Sequence, residues 1–468
     1  MIDKKVTSYN KTLNSLDVLV VAFGAMIGWG WVISSGQWIT IGGVAGTILA
    51  FLIGGFMIYC IGLVYAELTT TIPQTGGVTI FCDMALGSSA SFIATWSLLL
   101  SYIGVICFEA VSFPTVIQYI FPGFLKVHLY EVMGFNIYLS WLLVAIGTAV
   151  FVTYINIKGT KIAAKLQTLL TLIIGFVGII FIASSVFNGK AANINNQLFI
   201  GNEISSISAN IIKVSIMTPF FLFGFDVIPQ AAEEIKIPLK RIGKIMILSI
   251  ILAVVFYSLI VFAIGYIMNK EQIILATQST NLVTAIAMEK AFNSTIMAKI
   301  LIIGGLCGII TSWNSFIIGG SRILFSMAES NMLPRIFAKT HHSSKTPIVS
   351  LYFLGIISII SVFFGQLMLT WVVNAANFAC CIAYGIVSYS FIILRKKMPD
   401  LHRPYRINHG AYIGIMAVLM SGFMSLLYVI PGTQCSFIWQ EWSIVSIWII
   451  LGSIMKINIK NKVSSHFA

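Results

Sequence analysis

Twelve stretches of this chain, each roughly 20 residues long and nearly free of charge, are long enough to cross the hydrocarbon core of a bilayer. They begin near Leu16, Val44, Ala90, Ile137, Leu166, Ile211, Met246, Ile296, Ile348, Met368, Tyr412 and Phe437. Hydrocarbon offers no water to backbone N–H and C=O groups, so such stretches fold as helices that satisfy their own hydrogen bonds. The chain is 58% hydrophobic and 9% charged, against about 25% charged residues in soluble domains. An all-α integral membrane protein is expected and a soluble domain is excluded. The first stretch follows MIDKKVTSYNKTLNSLD, is longer than a signal-peptide core and has no small-residue cleavage site after it. It reads as an uncleaved span.

Basic residues fix the expected orientation. With the N-terminus inside, the inner segments hold Lys4, Lys5 and Lys11; Lys158, Lys161 and Lys165; Lys236, Lys240, Arg241 and Lys244; and Arg322, Arg335, Lys339 and Lys345. The later inner segments add Arg395, Lys396, Lys397, Arg403, Arg406, Lys456, Lys460 and Lys462, so 22 of the 28 Lys and Arg lie inside. Cytoplasmic loops carry such an excess, which places both termini in the cytoplasm. The net charge of +13 then needs no nucleic-acid partner, because anionic lipid on the inner leaflet accounts for it.

The seven cysteines, Cys60, Cys82, Cys107, Cys307, Cys380, Cys381 and Cys435, lie mostly within apolar stretches and lack metal-ligand spacing. They read as small core residues, and no metal or cofactor is expected. All six histidines, His128, His341, His342, His402, His409 and His466, fall in connectors or tails, which excludes an intramembrane histidine relay. No HExxH, GxSxG or GxxxxGK[ST] pattern occurs, which argues against a metalloprotease, a serine hydrolase or an ATPase.

Two apolar stretches are interrupted at their centres, one at Gly24 to Gly30 (GAMIGWG) and one at Phe220 to Asp226 (FFLFGFD). Unwound backbone at membrane depth persists only where it lines a cavity or holds a ligand. A pair of such breaks in corresponding halves points to a transport site near the midplane and away from a continuous channel. The broken helices would be the first and the sixth. Each opens a set of five spans, and five being odd, the second set enters the membrane from the opposite side: an inverted five-helix repeat. The connectors are too short to fold separately. The expected organisation is a cytoplasmic tail at 1–15, a ten-helix core at 16–394, two peripheral helices with their inner loop at 395–456, and a second cytoplasmic tail at 457–468.

A family resemblance rests on GAMIGWG, YAEL at Tyr65 to Leu68, PQTGG at Pro73 to Gly77, GFDVIPQAAEEIKIPLKRI at Gly224 to Ile242 and TSWNSFIIGGSRILFSMAESNMLP at Thr311 to Pro334, followed by KTP at Lys345 to Pro347. In this order they resemble the amino acid, polyamine and organocation permease superfamily. The resemblance implies alternating access by a multi-pass protein of the cell membrane whose partners are the bilayer, a small-molecule substrate and a coupling proton or sodium ion. It also implies that the amides near Gly28, Trp29 and Gly30, beside Met26 and Ile27, hold a substrate carboxylate, with the carbonyls of Met26, Phe220 and Phe223 holding the ammonium. The physical reading agrees, since the restarting half-helix offers free N–H groups and the positive end of its dipole. A glycine packing face is the alternative for Gly24 and Gly28.

Phe220 stands where the family carries an aromatic lid, next to helix-breaking Pro219. Tyr102, Val105 and Glu109 lie along one face of the third span and are expected against the substrate side chain, with Ser312 and Asn377 as weaker candidates. Glu109 and Asp226 are the two acids well inside spans, and such groups are functional by default. For Glu109 the roles are a proton site, a counter-charge for a cationic substrate or a structural hydrogen bond. Asp226 is expected to cap the second half-helix at Gly224, with a gating or proton-linked role open. Glu233, Glu234, Lys236, Lys240 and Arg241 read as a solvated helix end at the inner mouth; the resemblance adds an inner gate in which they and Arg322 exchange salt bridges. Thr311, Ser312 and Ser315 offer hydroxyls to sodium, or to internal hydrogen bonds.

Two departures stand out. Proton-coupled relatives carry a lysine on the fifth span, where this chain has Ile174, and many relatives have a small residue at Trp29. The expected function is amino acid transport, with polyamine or other organic-cation transport or exchange as the alternative.

Overall fold

The computed structural model describes residues 11–464 apart from 122, 280, 281 and 434, with side chains except at 366–369 and 458–464. Lys4, Lys5 and His466 lie outside the described residues.

The chain forms α1 (Ser15–Met26), α2 (Gly30–Ile33), α3 (Ser35–Gly42), α4 (Val44–Thr71), α5 (Gly77–Leu86), α6 (Ser88–Ile120), α7 (Leu139–Lys158), α8 (Thr160–Asn188), α9 (Ala191–Asn195), α10 (Ile204–Phe221), α11 (Val227–Gln230) and α12 (Leu239–Ile267). After these come α13 (Lys270–Ser279), α14 (Val283–Phe292), α15 (Thr295–Glu329), α16 (Ile348–Ser361), α17 (Gly365–Lys397), α18 (Gly410–Val429) and α19 (Trp439–Ser464). Among the described residues, nine helices are long and apolar enough to cross a membrane. Every expected span lies on a helix; α8, α10 and α12 begin one to two turns earlier, because a helix continues into the polar turn that hydropathy leaves out. The hairpin β1 (His128–Val132) and β2 (Phe135–Tyr138), between α6 and α7, was not foreseen.

Local chemistry starts the first helix. Asn14 Oδ1 accepts from the N–H groups of Leu16 and Asp17 at 2.8 and 3.1 Å, and the Asp17 carboxylate accepts from Asn14 N–H at 2.9 Å, a reciprocal cap. The centre is built from α6, α15 and α17, with α12 on α4 and α1 held between α8, α12 and α15. Large apolar residues such as Phe176, Ile179, Leu419 and Phe423 stay exposed on the outside of the bundle, as a bilayer-facing surface requires.

Two side-chain assemblies fasten the later helices to the core. Glu67, in the YAEL segment of α4, is buried and accepts from Arg395 Nε at 2.9 Å and from Ile407 N–H at 2.7 Å, with Arg403 Nε 3.2 Å away. It thereby anchors the loop that leads into α18. Trp96 and Trp448 stack at 4.3 Å, and each indole N–H donates to the other's backbone carbonyl, at 2.9 and 3.0 Å. This clasp holds α19 to α6.

Candidate functional site

The first break runs from Ile27 to Trp29, between α1 and α2, and the second from Leu222 to Asp226, between α10 and α11. Gly224 has φ +131°, and a Cβ there would stand 2.6 Å from Ala25 Cβ and 3.1 Å from the Met26 nitrogen, so only glycine lets the two backbones approach this closely. The carbonyls of Ile27 and Gly28 turn toward α15 at Gly308, whose Cβ would lie 2.9 and 2.6 Å from them. Trp29 is buried with its ring over Gly305 of the same helix.

Gly24 and Gly28 play different parts. A Cβ on Gly24 would meet Thr171 Oγ1 at 2.9 Å and Thr311 Cβ at 3.2 Å, so Gly24 is a packing glycine against α8 and α15. Gly28 instead faces a carboxyl group: a Cβ there would stand 2.8 Å from Glu109 Oε1, with Ser312 3.7 Å away. Glu109 is 3% exposed, and its Oε2 finds no hydrogen-bond partner among the described residues. A buried carboxyl with an open oxygen beside unwound backbone is therefore the chemically distinctive feature of the site.

Asp226 is fully buried, and its two oxygens are divided between two tasks. Oδ1 accepts from Gly224 N–H at 3.1 Å, closing the break on itself, while Oδ2 accepts from the Tyr102 hydroxyl at 2.9 Å. It stands at the start of α11 but makes no side-chain cap bond to that helix. Tyr102 is thus engaged with Asp226 and packs edge-on against Phe316 at 4.9 Å, seven residues along α6 from Glu109. Val105, between them, is half-buried. Asn377 is buried on α17.

Among the carbonyls expected to hold an ammonium group, that of Met26 already accepts from the Tyr257 hydroxyl at 3.0 Å. Phe223 is buried and meets Tyr384 edge-on at 5.4 Å. Phe220 is half-buried, with its ring 5.0 Å from that of Phe221. It is the Phe221 ring that covers Gly30. Sequence periodicity had no means of separating these adjacent phenylalanines.

Two of the three hydroxyls considered for sodium, those of Thr311 and Ser315, make internal hydrogen bonds. Thr311 donates to the Gly308 carbonyl at 2.9 Å, and Ser315 donates to the Val21 carbonyl at 3.1 Å while accepting from Gln167 Nε2 at 3.0 Å. Gln167 in turn accepts from Asn314 at 2.8 Å, and Asn314 from Asn156 at 2.8 Å. This buried amide chain ties α1 to α7, α8 and α15, and its members, scattered over 160 positions of sequence, carried no local signal.

Toward the other end of α15, Arg322 is 1% exposed and Nε donates to Glu234 Oε1 at 2.8 Å, while Nη2 donates to Thr160 at 2.8 Å. Thr160 also hydrogen-bonds Glu234. The solvated helix end expected here is corrected at Glu234, which is buried and paired with Arg322, because the 3-10 turn Ala232–Glu234 points it inward onto Arg322 and Thr160. Thr12 and Leu13 N–H donate to the Glu234 carbonyl at 2.9 and 3.0 Å, drawing the start of the chain onto the same plug.

The sequence model for "Amino acid permease" matches residues 13–454. Relatives include the methylthioribose transporter of Bacillus subtilis (strain 168), 24% identical over 96% of this chain and 94% of that protein. The branched-chain amino acid permease BcaP of the same organism is 25% identical over 90% and 88%. Its aspartate-proton symporter is 24% identical over 96% and 82%. The match from before α1 into α19, on a helical bundle whose two broken helices pack together, establishes that this multi-pass membrane chain is a transporter and no enzyme, and that it belongs to the amino acid permease family.

Proposed function

We propose that the chain moves amino acids across the cytoplasmic membrane as a secondary transporter working by alternating access. The observation that carries this reading is the close packing of the second unwound segment, at Gly224, on Ala25–Met26 where α1 ends just before the first, with a buried carboxyl facing the unwound Gly28. The cradle consists of Met26, Ile27, Gly28, Trp29 and Gly30: amides at the start of α2 receive the substrate carboxylate, and the carbonyls of Phe220 and Phe223 receive the ammonium. Tyr102, Val105, Glu109 and Phe220 face the side chain, and Asp226, Thr311 and Ser312 serve gating. The first five and next five spans form an inverted repeat within 16–394, followed by peripheral helices at 395–456, with both termini cytoplasmic. The Glu234–Arg322–Thr160 plug is the inner gate.

Coupling follows from charge. A substrate carboxylate brought to Gly28 approaches the Glu109 carboxyl, and two like charges in a low-dielectric site repel strongly. Proton uptake by Glu109 together with the substrate removes that repulsion, so proton symport is the favoured mode; the aspartate-proton symporter among the relatives supports it. Sodium is less favoured because the Ser315 oxygen, besides donating to Val21, already accepts from Gln167, and neither Thr311 nor Ser312 brings a negative charge to hold a cation. A second reading has its own support: Glu109, ionised and with Oε2 free, suits an organic cation that carries no carboxylate.

Uptake into liposomes holding the purified protein tests both. The panel comprises labelled leucine, aspartate, serine and putrescine, plus methylthioribose, with imposed proton or sodium gradients or preloaded substrate. Accumulation of an amino acid driven by a proton gradient supports the first reading, and accumulation of putrescine alone supports the second. Absence of transport for every amino acid and amine overturns both.

A further inference from the structure

Glycine at position 30 has two competing explanations: room for a ligand, or room for a neighbour within the protein. Its backbone begins α2 and does not adopt a left-handed φ, so the conformational freedom of glycine is not what the position requires. The obstacle to a side chain is the Phe221 ring: a methyl group on Gly30 would fall within it. That ring is half-buried and held by other aromatic rings. Trp38 meets it edge-on at 4.7 Å, Phe220 at 5.0 Å and Tyr257 at 6.1 Å, and Trp38 is itself packed on Phe51 at 4.9 Å. Tyr257 in turn donates its hydroxyl to Met26 at the edge of the first break.

Phe221 is the last residue of α10, and Gly30 is the first of α2. The two breaks are thus joined at two places, by Gly224 on Ala25–Met26 and by Phe221 on Gly30. Packed contacts of this kind rearrange between discrete states and do not deform smoothly. We propose that Phe221 is a positioning residue that locks the second broken helix to the first, so that the two half-helices move as one unit during transport, and that this ring, not the ligand, is what demands glycine at position 30.

The transport half of this inference rests on the function proposed above, so the test includes a readout that needs no substrate. Hydrogen exchange of the protein in nanodiscs is followed in peptides covering 27–33 and 218–230, for wild type, Gly30→Ala, Phe221→Leu and the double variant. Gly30→Ala is expected to accelerate exchange in the 218–230 peptide, on the other broken helix, and Phe221→Leu in that background to return it toward wild type. Leucine and serine exchange are measured in parallel. Gly30→Ala is expected to lower the maximal rate with little change in half-saturation, and adding Phe221→Leu to recover it by at least about fivefold, a coupling within the range of contacting residues. Exchange perturbed only in 27–33, or rate losses that simply multiply in the double variant, overturns the lock. If wild type transports no amino acid of the panel above, the amino acid reading fails while the exchange pattern still decides the lock. A double variant that stays impaired although Phe221→Leu alone is active returns the demand for glycine to the ligand.

Discussion

A single carboxyl group carries most of the chemistry at the residue scale. Glu109 sits against Gly28 with one oxygen unpartnered, whereas Asp226, equally buried, has both oxygens occupied by Tyr102 and Gly224. The first is free to exchange a proton or a ligand; the second is committed to holding the break closed. Glu109→Gln, an isosteric change, should therefore leave amino acid binding intact while flattening the pH dependence of uptake, measured as initial rate against external pH. If putrescine transport alone disappears, the carboxylate is a counter-charge. Tyr102→Phe removes one partner of a buried acid and should cost about 1–3 kcal/mol, read as a lowered melting temperature in detergent. Unchanged melting would mean that the Tyr102 bond contributes little. Arg322→Ala leaves Glu234 buried without its cation, and removal of one member of a buried pair costs about 3–5 kcal/mol. In the same assay Arg322→Lys should recover only part of that loss, since ammonium cannot match both Glu234 and Thr160.

At the scale of elements, what matters is how helices end. α1 stops at Met26 and α10 at Phe221, and neither break is a flexible link, because the first is packed on α15 and the second on the end of α1 and, through Asp226, on Tyr102. Gly224→Ala places a Cβ 2.6 Å from Ala25 and forces a left-handed φ on alanine. Strained backbone costs of order 1–3 kcal/mol per residue, so this variant should lose transport with at most a modest fall in melting temperature; normal transport would show that the breaks need not touch. Glu67 works at the same scale. Two arginines and the Ile407 N–H converge on it, and Glu67→Ala should release the loop before α18, detected as protease cleavage between 398 and 409 that wild type resists.

For the whole molecule, the topology is open to a direct check. With both termini inside, a cysteine at Lys270, introduced after the native cysteines are replaced, should react with an impermeant maleimide from outside intact cells, and one at Ser344 only after permeabilisation; the reverse pattern would invert the protein. Composition and the spacing of apolar stretches determined that the chain is a helical membrane protein, since hydrocarbon permits few other folds. The interruptions at 24–30, rich in glycine, and at 220–226, with Gly224 after Pro219, determined where helices break, because intact helices are the default there. What sequence left undecided was partnership. Which of two adjacent phenylalanines covers Gly30, that Glu109 abuts Gly28, and that Glu234 and Arg322 pair out of water all depend on residues 81 to 191 positions apart meeting across helices. Periodicity says which face of a helix is buried, but only the packing of one helix against another decides what that face meets.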